Sequence, residues 1–440
     1  MEIRQITEQN PWWQDEKAIL KDEKIQEALS RQHSLIPDKF QNNNFLLIGP
    51  RQVGKTTYLK LIIKQLIDQK INPKTIVYFS CEPLRRFEEI IEIVRFADSL
   101  ISGPKYFFFD EITFVPDWQR AIKYILDSQL KKQKTFYITG SSSIALKKET
   151  FPGRDIQIKN FLPLSFKQFC QLFVSQNLKL ESDSLKLNNA SIADVYKKIK
   201  HISFYFSEIS DLFAKYIQCG GFPKSIYELM EGKGISEQTH EIYWQWLISD
   251  IAKIERSERI TRAILIAMLK NYGSRFSLNS VAKEMEIGSH VTIREYLEIL
   301  EDLFVLRNVF PFDAKKKVEV FRKMRKVYFI DPFLFAVFKK VLTKQSVEEK
   351  EISAIIEGIV SEHLKRSCDR IFYHSGKKEV DFVLNNKTGL EVKWQNKVNF
   401  SDFPSIEFAN KIILSKSDFD FNKKQNILIA PVSLFLLLCG

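Results

Sequence analysis

The sequence has little glycine, few cysteines and no long apolar run. Only 15 of its 440 residues are glycine, so each glycine marks a position where the backbone needs a positive φ or a close approach. The five cysteines are odd in number and form no CxxC pair, which argues against a disulfide framework or a structural zinc site. No stretch reaches the roughly 18 consecutive apolar residues of a membrane span, and the first 13 residues do not resemble a signal peptide. We therefore predict a cytoplasmic protein without a membrane partner, and a final buried strand in the apolar run at 431–439.

The charge of the chain is positive and unevenly distributed. Lysine and arginine number 66 and aspartate and glutamate 54, so the net charge is +12. Residues 251–350 contain 20 basic and 13 acidic residues, which places +7 of the +12 in that segment. A locally basic segment indicates a polyanion partner, and a solvated surface is the alternative. At about 100–200 residues per domain, the length predicts two to four domains.

A glycine-containing motif follows an early apolar run. Residues 45–48 predict a buried strand, residues 49–57 have the sequence GPRQVGKTT, and residues 58–66 have a helical pattern. The spacing GxxxxGK[ST] suits a loop whose backbone N–H groups wrap phosphates at a helix N-terminus. Lys55 would reach the β and γ phosphates, and Thr56 would offer its hydroxyl to Mg²⁺. The predicted ATP-binding residues are Gly49, Arg51, Gly54, Lys55, Thr56 and Thr57.

An acidic pair ends a second apolar run. Residues 106–109 are all apolar, as expected for a strand buried on both faces of a parallel sheet, and Asp110 and Glu111 follow them. Asp110 can hold the Mg²⁺ shell, and Glu111 can orient and activate the attacking water. Residues 135–139 predict another strand, after which Ser141 would face the γ-phosphate. An ordinary Gly-Ser turn is the alternative for this last segment.

Arg154 lies in the segment FPGRDIQI. It could stabilise transition-state charge in its own or a neighbouring subunit, as an arginine finger does. A surface arginine without this role is the alternative. A role in a neighbouring subunit would require a homo-oligomer.

The C-terminal half begins with a helical pattern over 161–260 and continues with three helices and a hairpin over 262–330. This order predicts a winged helix, with Arg294 on the recognition helix. The approach to the hairpin, 313–326, contains seven basic and two acidic residues. Contacts from such a wing to duplex DNA would be sequence-independent and salt-sensitive, and a protein-interaction module is the alternative. The basic residues predicted on or beside the wing are Lys315, Lys316, Lys317, Arg322, Lys323, Arg325 and Lys326.

Residues 379–384 and 390–394 predict a hairpin whose turn, 385–389, contains Gly389. Strand alternation places Asp381, Glu391 and Lys393 on one face. Two carboxylates and a lysine suit metal-dependent phosphodiester hydrolysis. The pattern resembles the PD-(D/E)xK motif of restriction-endonuclease-like domains, with Glu362 on the preceding helix as a helper. A nucleic-acid-binding or structural remnant and a plain salt-bridged hairpin are the alternatives.

Taken together, several short motifs resemble a prokaryotic AAA-type ATPase with a C-terminal uncharacterised, nuclease-like domain. The resemblance covers essentially the whole chain. It implies ATP and Mg²⁺ binding by Lys55, Thr56 and Asp110, hydrolysis through Glu111, a sensing role for Ser141 or its neighbours, and Arg154 as the finger. The motifs are NPWW at 10–13, GPRQVGKTT at 49–57, FFFDEI at 107–112, ITGSSS at 138–143, GR at 153–154, LPLSF at 162–166 and GGFP at 220–223.

The predicted fold class is α/β: a P-loop NTPase parallel sheet with a helical lid, followed by a winged helix and a small α/β restriction-endonuclease-like domain. The function we expect is a Mg²⁺-dependent ATPase acting on duplex DNA through the winged helix and the nuclease-like domain. The alternative is an ATP-dependent protein-interaction switch or scaffold whose nuclease-like fold is catalytically silent. The predicted domains are an N-terminal extension (1–44), the AAA-type P-loop ATPase core (45–160), the helical lid (161–260), the winged helix (261–335) and the nuclease-like domain (345–440).

Overall fold

The computed structural model divides the chain after Leu162. It describes residues 3–31, 43–144, 151–174, 190–313, 318–319, 324–368, 370–376 and 378–439. Unit 1 is Met1–Leu162 and unit 2 is Pro163–Gly440. Across the described residues, no helix combines the length and apolar composition needed to cross a membrane. The finer domain boundaries inside unit 2 stay a prediction.

Unit 1 is built on a five-stranded sheet in the order β2-β3-β4-β1-β5, and all of its strand pairs are parallel. The central strands are apolar along their length because both faces of a parallel sheet are covered. The carboxyl ends of β1, β3 and β4 meet at one edge, where ligands of open α/β sheets bind. The strands are β1 (Phe45–Ile48), β2 (Ile76–Ser80), β3 (Lys105–Asp110), β4 (Lys134–Gly140) and β5 (Gln157–Asn160). The helices are α1 (Ile3–Gln9), α2 (Glu23–Ser30), α3 (Lys55–Asp68), α4 (Glu88–Leu100) and α5 (Trp118–Asp127).

The NPWW motif lies along the edge of this sheet that is formed by β2. Strand β2 is an edge strand, so its backbone would expose unpaired groups that invite association with other chains. The Asn10 side chain binds both backbone polar groups of Tyr78: its Nδ2 donates to the carbonyl (2.8 Å) and its Oδ1 accepts from the N–H (2.6 Å). Trp13 donates its indole N–H to the Ile76 carbonyl at 2.8 Å. The motif therefore has a structural role at β2.

Unit 2 combines helices with a six-stranded mixed sheet in the order β10-β11-β12-β13-β15-β14. Its helices are α6 (Phe166–Phe173), α7 (Ile192–Ile202), α8 (Phe206–Cys219), α9 (Pro223–Met230), α10 (Glu237–Lys253), α11 (Glu258–Lys270), α12 (Leu278–Glu284), α13 (His290–Asp302), α14 (Pro332–Thr343), α15 (Ile352–Ser367) and α16 (Val432–Leu436). Its strands are β6 (Leu306–Val309), β7 (Phe312–Asp313), β8 (Val318–Glu319), β9 (Lys326–Phe329), β10 (Ile371–Ser375), β11 (Glu379–Leu384), β12 (Thr388–Val392), β13 (Asn410–Ser415), β14 (Asp420–Asn422) and β15 (Ile427–Pro431).

The three helices expected after residue 262 are α11, α12 and α13. Each is capped by a serine whose hydroxyl accepts a backbone N–H of the first turn: Ser257, Ser277 and Ser289. An antiparallel pair, β6 with β9, follows them. This order of elements is the one predicted for a winged helix, and that assignment stays a proposal.

The C-terminal sheet contains the predicted hairpin, formed by the antiparallel strands β11 and β12. Its turn differs from the prediction, because Asn385 and Asn386 adopt the positive φ values and Gly389 lies inside β12. A Cβ at Gly389 would come within 2.6 Å of the Phe408 ring, so packing requires this glycine. The expectation of a final strand over 431–439 is wrong, since Val432–Leu436 is the helix α16. Periodicity cannot separate a strand from a helix in a short run that is apolar at nearly every position.

A buried hydrogen-bond network joins the LPLSF and GGFP motifs in unit 2. The Leu164 N–H donates to the Gly221 carbonyl at 2.8 Å, and the Gly221 N–H donates to Asp331 Oδ2 at 2.7 Å. The Phe166 N–H donates to Nε2 of His363 at 2.8 Å. Burial lowers the pKa of His363 to about 3, so the ring stays neutral and can accept this bond. The network connects the helical segment to α15, which precedes the C-terminal sheet.

We expect Gly221→Ala to destabilise unit 2. A Cβ at this position would lie 2.1 Å from the Leu164 carbonyl oxygen and 2.6 Å from the Leu164 nitrogen, and these backbone atoms leave it no room. Overpacking of this kind costs about 1–3 kcal/mol of the free energy of unfolding. Urea denaturation would measure the loss. The control is Gly288→Ala, whose Cβ would meet no atom within 4 Å; equal midpoints for the two variants would contradict the prediction.

Candidate functional site

The loop between β1 and α3 is shaped by its two glycines. Gly54 has a φ of 95°, a left-handed conformation that lets α3 begin at the next residue. Gly49 lies against the end of β5, where a Cβ would be 1.8 Å from the Phe161 carbonyl oxygen. The first N–H groups of α3 therefore point into the loop, where they can bind an anion.

The Lys55 side chain lies inside this loop and is 3% exposed. Its ammonium group donates to the carbonyl oxygens of Gly49 (2.9 Å) and Pro50 (2.8 Å) and lies 3.6 Å from Oε1 of Glu111. Burial lowers the pKa of Lys55, and the nearby carboxylates of Glu111 and Asp110 partly oppose that effect. A cation is thus positioned where phosphate oxygens in the loop would be stabilised.

Asp110 is the centre of the site and is 3% exposed. Its Oδ2 accepts hydrogen bonds from the hydroxyls of Thr56 (2.7 Å) and Tyr78 (2.9 Å), and its Oδ1 accepts one from Thr139. Burial and the Asp110 charge both raise the pKa of Tyr78, so the phenol stays protonated as a donor. The Thr56 hydroxyl and the Asp110 carboxylate supply adjacent hard oxygen atoms, the ligand type that Mg²⁺ prefers.

Glu111 has an unusual backbone and a carboxylate oxygen without a protein partner. Its φ is 52°, a region that a non-glycine residue enters at a cost, and its N–H donates to the Thr139 hydroxyl at 2.9 Å. Among the described residues, no group hydrogen-bonds its buried Oε2. A carboxylate oxygen held in this way beside Lys55 can accept a bond from a water molecule.

Three further predicted residues, Arg51, Thr57 and Ser141, border the same edge of the sheet. Ser141 is buried directly after β4, and its N–H donates to the Thr113 hydroxyl at 3.2 Å. The Arg51 guanidinium lies over the Phe114 ring, 5.1 Å from its centroid. Thr57 is half-buried in the first turn of α3. The loop residues, the acidic pair and Ser141 are thus gathered at the carboxyl edge, and their binding of a nucleotide with Mg²⁺ stays a prediction.

Two residues of this site were not predicted individually, Tyr78 and Thr139. A hydroxyl near the end of the predicted strand at 135–139 was an available signal for Thr139. Tyr78 lies in the short run IVYFS, whose pattern shows only a buried strand. Its contact with Asp110 follows from the parallel pairing of β2 with β3.

Arg154 lies at the opposite, amino-terminal edge of the sheet. It binds the Asp127 carboxylate through two hydrogen bonds of 2.9 and 2.7 Å, just before β5 begins. The N–H of Gln157, the first residue of β5, bonds to the Asn44 carbonyl ahead of β1. One chain therefore does not bring Arg154 to Lys55. A role toward a neighbouring copy stays a prediction.

Two of the predicted nuclease-like residues of unit 2, Asp381 and Glu391, belong to a group that we call the carboxylate cluster: Glu357, Glu379, Asp381 and Glu391. The Asp381 Oδ2 accepts the Val392 N–H at 3.0 Å, and Glu391 Oε2 lies 3.3 Å from Nζ of Lys393. Burial and the charge of Asp381 raise the pKa of Glu391. The structure places Asp381, Glu391 and Lys393 close together, and their nuclease-like role stays a prediction.

Glu362 does not join the carboxylate cluster. Its carboxylate pairs with Arg307 at 3.2 Å and with Arg366 at 3.3 Å. The residue of α15 that faces Asp381 is Glu357, whose pKa is raised by burial and by Asp381. Five residues along a helix correspond to a rotation of about 140°, so both residues cannot face the same neighbour. Within the described ranges, no group of three or more His, Cys, Asp or Glu side chains is arranged to hold a metal ion.

The predicted DNA contacts separate into exposed and buried residues. Arg294 is exposed on α13 and lines a groove with Arg275 and Tyr373. Arg325 and Lys326, expected on the wing, are 4% and 2% exposed, so they are not available to DNA here. Arg325 stacks over the Phe310 ring, with 4.9 Å to its centroid. Lys315, Lys316, Lys317, Arg322 and Lys323 lie outside the described residues.

Two family models match parts of the chain. Residues 41–170 match a family described as an AAA domain, and residues 210–345 match a domain of unknown function, DUF8612. The first match covers the loop, the acidic pair and Ser141. Unit 1 thus has a parallel-sheet α/β fold, and most of it is similar to AAA domains.

Two curated relatives are uncharacterized proteins. One, from Methanocaldococcus jannaschii, is 27% identical over 384 residues, which is 82% of this chain and 76% of the relative. The other, from Haemophilus influenzae, is 24% identical over 302 residues, which is 63% of this chain and 66% of the relative. Neither name indicates a function.

The solved structures to which the chain is similar include two DNA-related proteins, and the TM-scores of both are low. The Thermotoga maritima RuvB Holliday junction branch migration motor has 17% identity and a TM-score of 0.25, over 60% of this chain and 81% of that chain. The Aeropyrum pernix Orc1 protein in complex with DNA has 12% identity and a TM-score of 0.32, over 74% of this chain and 92% of that chain. Likenesses this weak assign neither a fold nor a function to this chain.

We expect Thr139→Val to weaken Mg²⁺-dependent ATP binding. The change removes the hydroxyl that donates to Asp110 and accepts from the Glu111 N–H, while keeping the side-chain volume. A buried donor left without an acceptor costs about 1–3 kcal/mol, and Asp110 would lose one of the bonds that orient it. Calorimetric titration with Mg²⁺ and a non-hydrolysable ATP analogue measures the affinity. Thr135→Val, on the same strand at its amino end, is the control, and equal affinities in the two variants would refute the role of Thr139.

Proposed function

We propose that unit 1 binds ATP with Mg²⁺ and hydrolyses it. The observation that carries the proposal is the group of four side chains at the carboxyl edge: Lys55 in the loop, Thr56 bonded to Asp110, and Glu111 beside Lys55. The match of residues 41–170 to an AAA domain supports the same conclusion.

The residues would divide the chemistry between binding and water activation. The loop N–H groups and Lys55 would bind the phosphates, and the Thr56 hydroxyl with the Asp110 carboxylate would hold Mg²⁺. When bound, Mg²⁺ neutralises the charge of the phosphate oxygens. Glu111 Oε2 would orient the attacking water and take up its proton, because it is buried and has no protein partner among the described residues. Ser141 would contact the terminal phosphate from the end of β4.

A neighbouring copy of the chain would complete this site. Arg154 lies across the sheet from its own Lys55, so it can reach a phosphate only in a second subunit. In the isolated chain the Asp127 carboxylate holds the guanidinium at the surface. An arginine presented in trans would stabilise transition-state charge, and a homo-oligomer is therefore part of the proposal.

Duplex DNA is the partner that we propose for unit 2. Three helices and a hairpin are arranged in the order of a winged helix, Arg294 is exposed on the third helix, and the segment 313–326 is strongly basic. The rival is a switch that controls a protein partner. One observation favours it, since burial removes Arg325 and Lys326 from the predicted DNA-binding set.

Glu111→Gln should bind ATP but hydrolyse it about 10²–10⁴-fold more slowly, because it keeps the side-chain shape and removes the base. Lys55→Ala should lose ATP binding, since it removes the buried cation of the loop. Phosphate release and titration with a fluorescent ATP analogue distinguish the two effects. Lys64→Ala, on the same helix where the half-buried Lys64 pairs with Asp68, is the control. Full turnover in Glu111→Gln would exclude Glu111 as the base.

Alanine at Lys315, Lys316 and Lys317 should weaken binding to a 30-base-pair duplex and make it less salt-dependent. Each phosphate contact that is lost lowers the slope of log K against log salt by about 0.9. Fluorescence anisotropy at several salt concentrations measures both quantities. Arg259→Ala, in the first turn of α11, is the control. Unchanged affinity in the triple variant would remove the wing from DNA binding and favour the protein switch.

A further inference from the structure

The side chain of Lys326 ends among the carboxylates of the C-terminal sheet. Its ammonium group lies 2.6 Å from Glu379 Oε1, 2.8 Å from Glu357 Oε1 and 3.3 Å from Asp381 Oδ1. The side chain is 2% exposed. Three carboxylates therefore surround one buried ammonium group, which has three N–H donors to offer.

The charge of Lys326 is stabilised by this environment. Burial alone would lower the pKa of a lysine, but Glu357, Asp381 and Glu379 raise it above its ordinary value. Tyr328, two residues along β9 on the same face, donates its hydroxyl to the same Glu357 oxygen. Strand β9 thus supplies the carboxylate cluster with both a permanent cation and a hydroxyl donor.

The oxygens that a divalent metal would need are mostly occupied. Asp381 accepts Lys326 on Oδ1 and the Val392 N–H on Oδ2, and Glu391 pairs with Lys393 through Oε2. The second Glu391 oxygen, Oε1, is buried and has no hydrogen-bond partner among the described residues. In this arrangement these residues do not fit the metal ion that a PD-(D/E)xK nuclease would use. The described part of the chain has no group of three or more His, Cys, Asp or Glu side chains that could hold that ion elsewhere.

We propose that Lys326 is a resident cation that takes the place of a divalent metal ion in the carboxylate cluster. As long as β9 stays paired with β6, Lys326 prevents a metal ion from binding at the C-terminal sheet. Without that metal ion, the sheet cannot catalyse metal-dependent nuclease chemistry. Removing the ammonium group should leave three acidic side chains, Glu357, Glu379 and Asp381, facing a gap. That gap has the charge and the hard oxygen atoms that bind Mg²⁺ or Mn²⁺.

The test is a count of bound Mn²⁺ by electron paramagnetic resonance on the full chain without nucleotide. Lys326→Met should bind one Mn²⁺ more than the unaltered protein, and adding Asp381→Asn should remove that extra ion. The matched control is Lys339→Met, because Lys339 is also buried between two glutamates, at 3.0 Å from Glu348 and 2.5 Å from Glu351. It should gain no ion. Failure of Lys326→Met to gain a Mn²⁺ would overturn the proposal.

Two further measurements cover the case in which Lys326→Met folds poorly. Mn²⁺ should raise the unfolding temperature of that variant and leave that of Lys339→Met unchanged; a variant that Mn²⁺ does not stabilise counts against the proposal. In the chain with Lys326 intact, Asp381→Asn should leave the Mn²⁺ count unaltered. A lost ion there would show that Asp381 binds metal in the presence of Lys326, which the proposal forbids.

Discussion

A charge that is removed from water has to be met by opposite charge or by hydrogen bonds, because the desolvation penalty is otherwise several kcal/mol per ion. The constraint applies to Asp110 in unit 1 and to the carboxylate cluster in unit 2, but the groups that stabilise the negative charge differ between them. The buried Asp110 is met by three neutral hydroxyls, so its negative charge is solvated but not cancelled. The carboxylate cluster is met by the ammonium group of Lys326, which cancels part of its charge. The Asp110 carboxylate therefore still has room to bind a cation, and the carboxylate cluster already has one bonded to it.

The parts of the fold that the sequence predicted correctly depend on local patterns. The loop at 49–57, the strand that ends in Asp110 and the hairpin of β11 and β12 are each contained in a few consecutive residues with a defined spacing. Partners that come from distant segments carried no such signal. Tyr78 and Lys326 reach their carboxylates only through strand pairing and packing, which a single sequence does not display. The error at Glu362 has the same origin, since the sequence places an acidic residue on α15 but leaves open which turn faces the sheet.

Glycine is required at different positions of this chain for two different reasons, backbone conformation and side-chain packing. Gly54 is needed for its positive φ, as a phosphate loop requires. Gly49, Gly221 and Gly389 have ordinary φ values and are needed because a neighbour occupies the space of a Cβ. The sequence reveals that a glycine is present, and only the structure distinguishes these two reasons. At the hairpin the distinction was decisive, since asparagines form the turn and the glycine packs against Phe408.

The positions of the side chains also change the interpretation of the basic segment 251–350 as a polyanion-binding surface. Residues 251–350 contain 20 basic and 13 acidic residues, but Arg325 and Lys326, which were expected on or beside the wing, are buried. Lys326 begins β9, and Arg325 directly before it bonds to Asn308 of the paired strand β6. These two charges therefore stabilise the hairpin and the carboxylate cluster, and they cannot also meet a phosphate backbone. Any polyanion partner must bind the other basic residues, and one of them, Arg294, is exposed on α13. DNA binding and neutralisation of the carboxylate cluster therefore depend on different residues of the same segment.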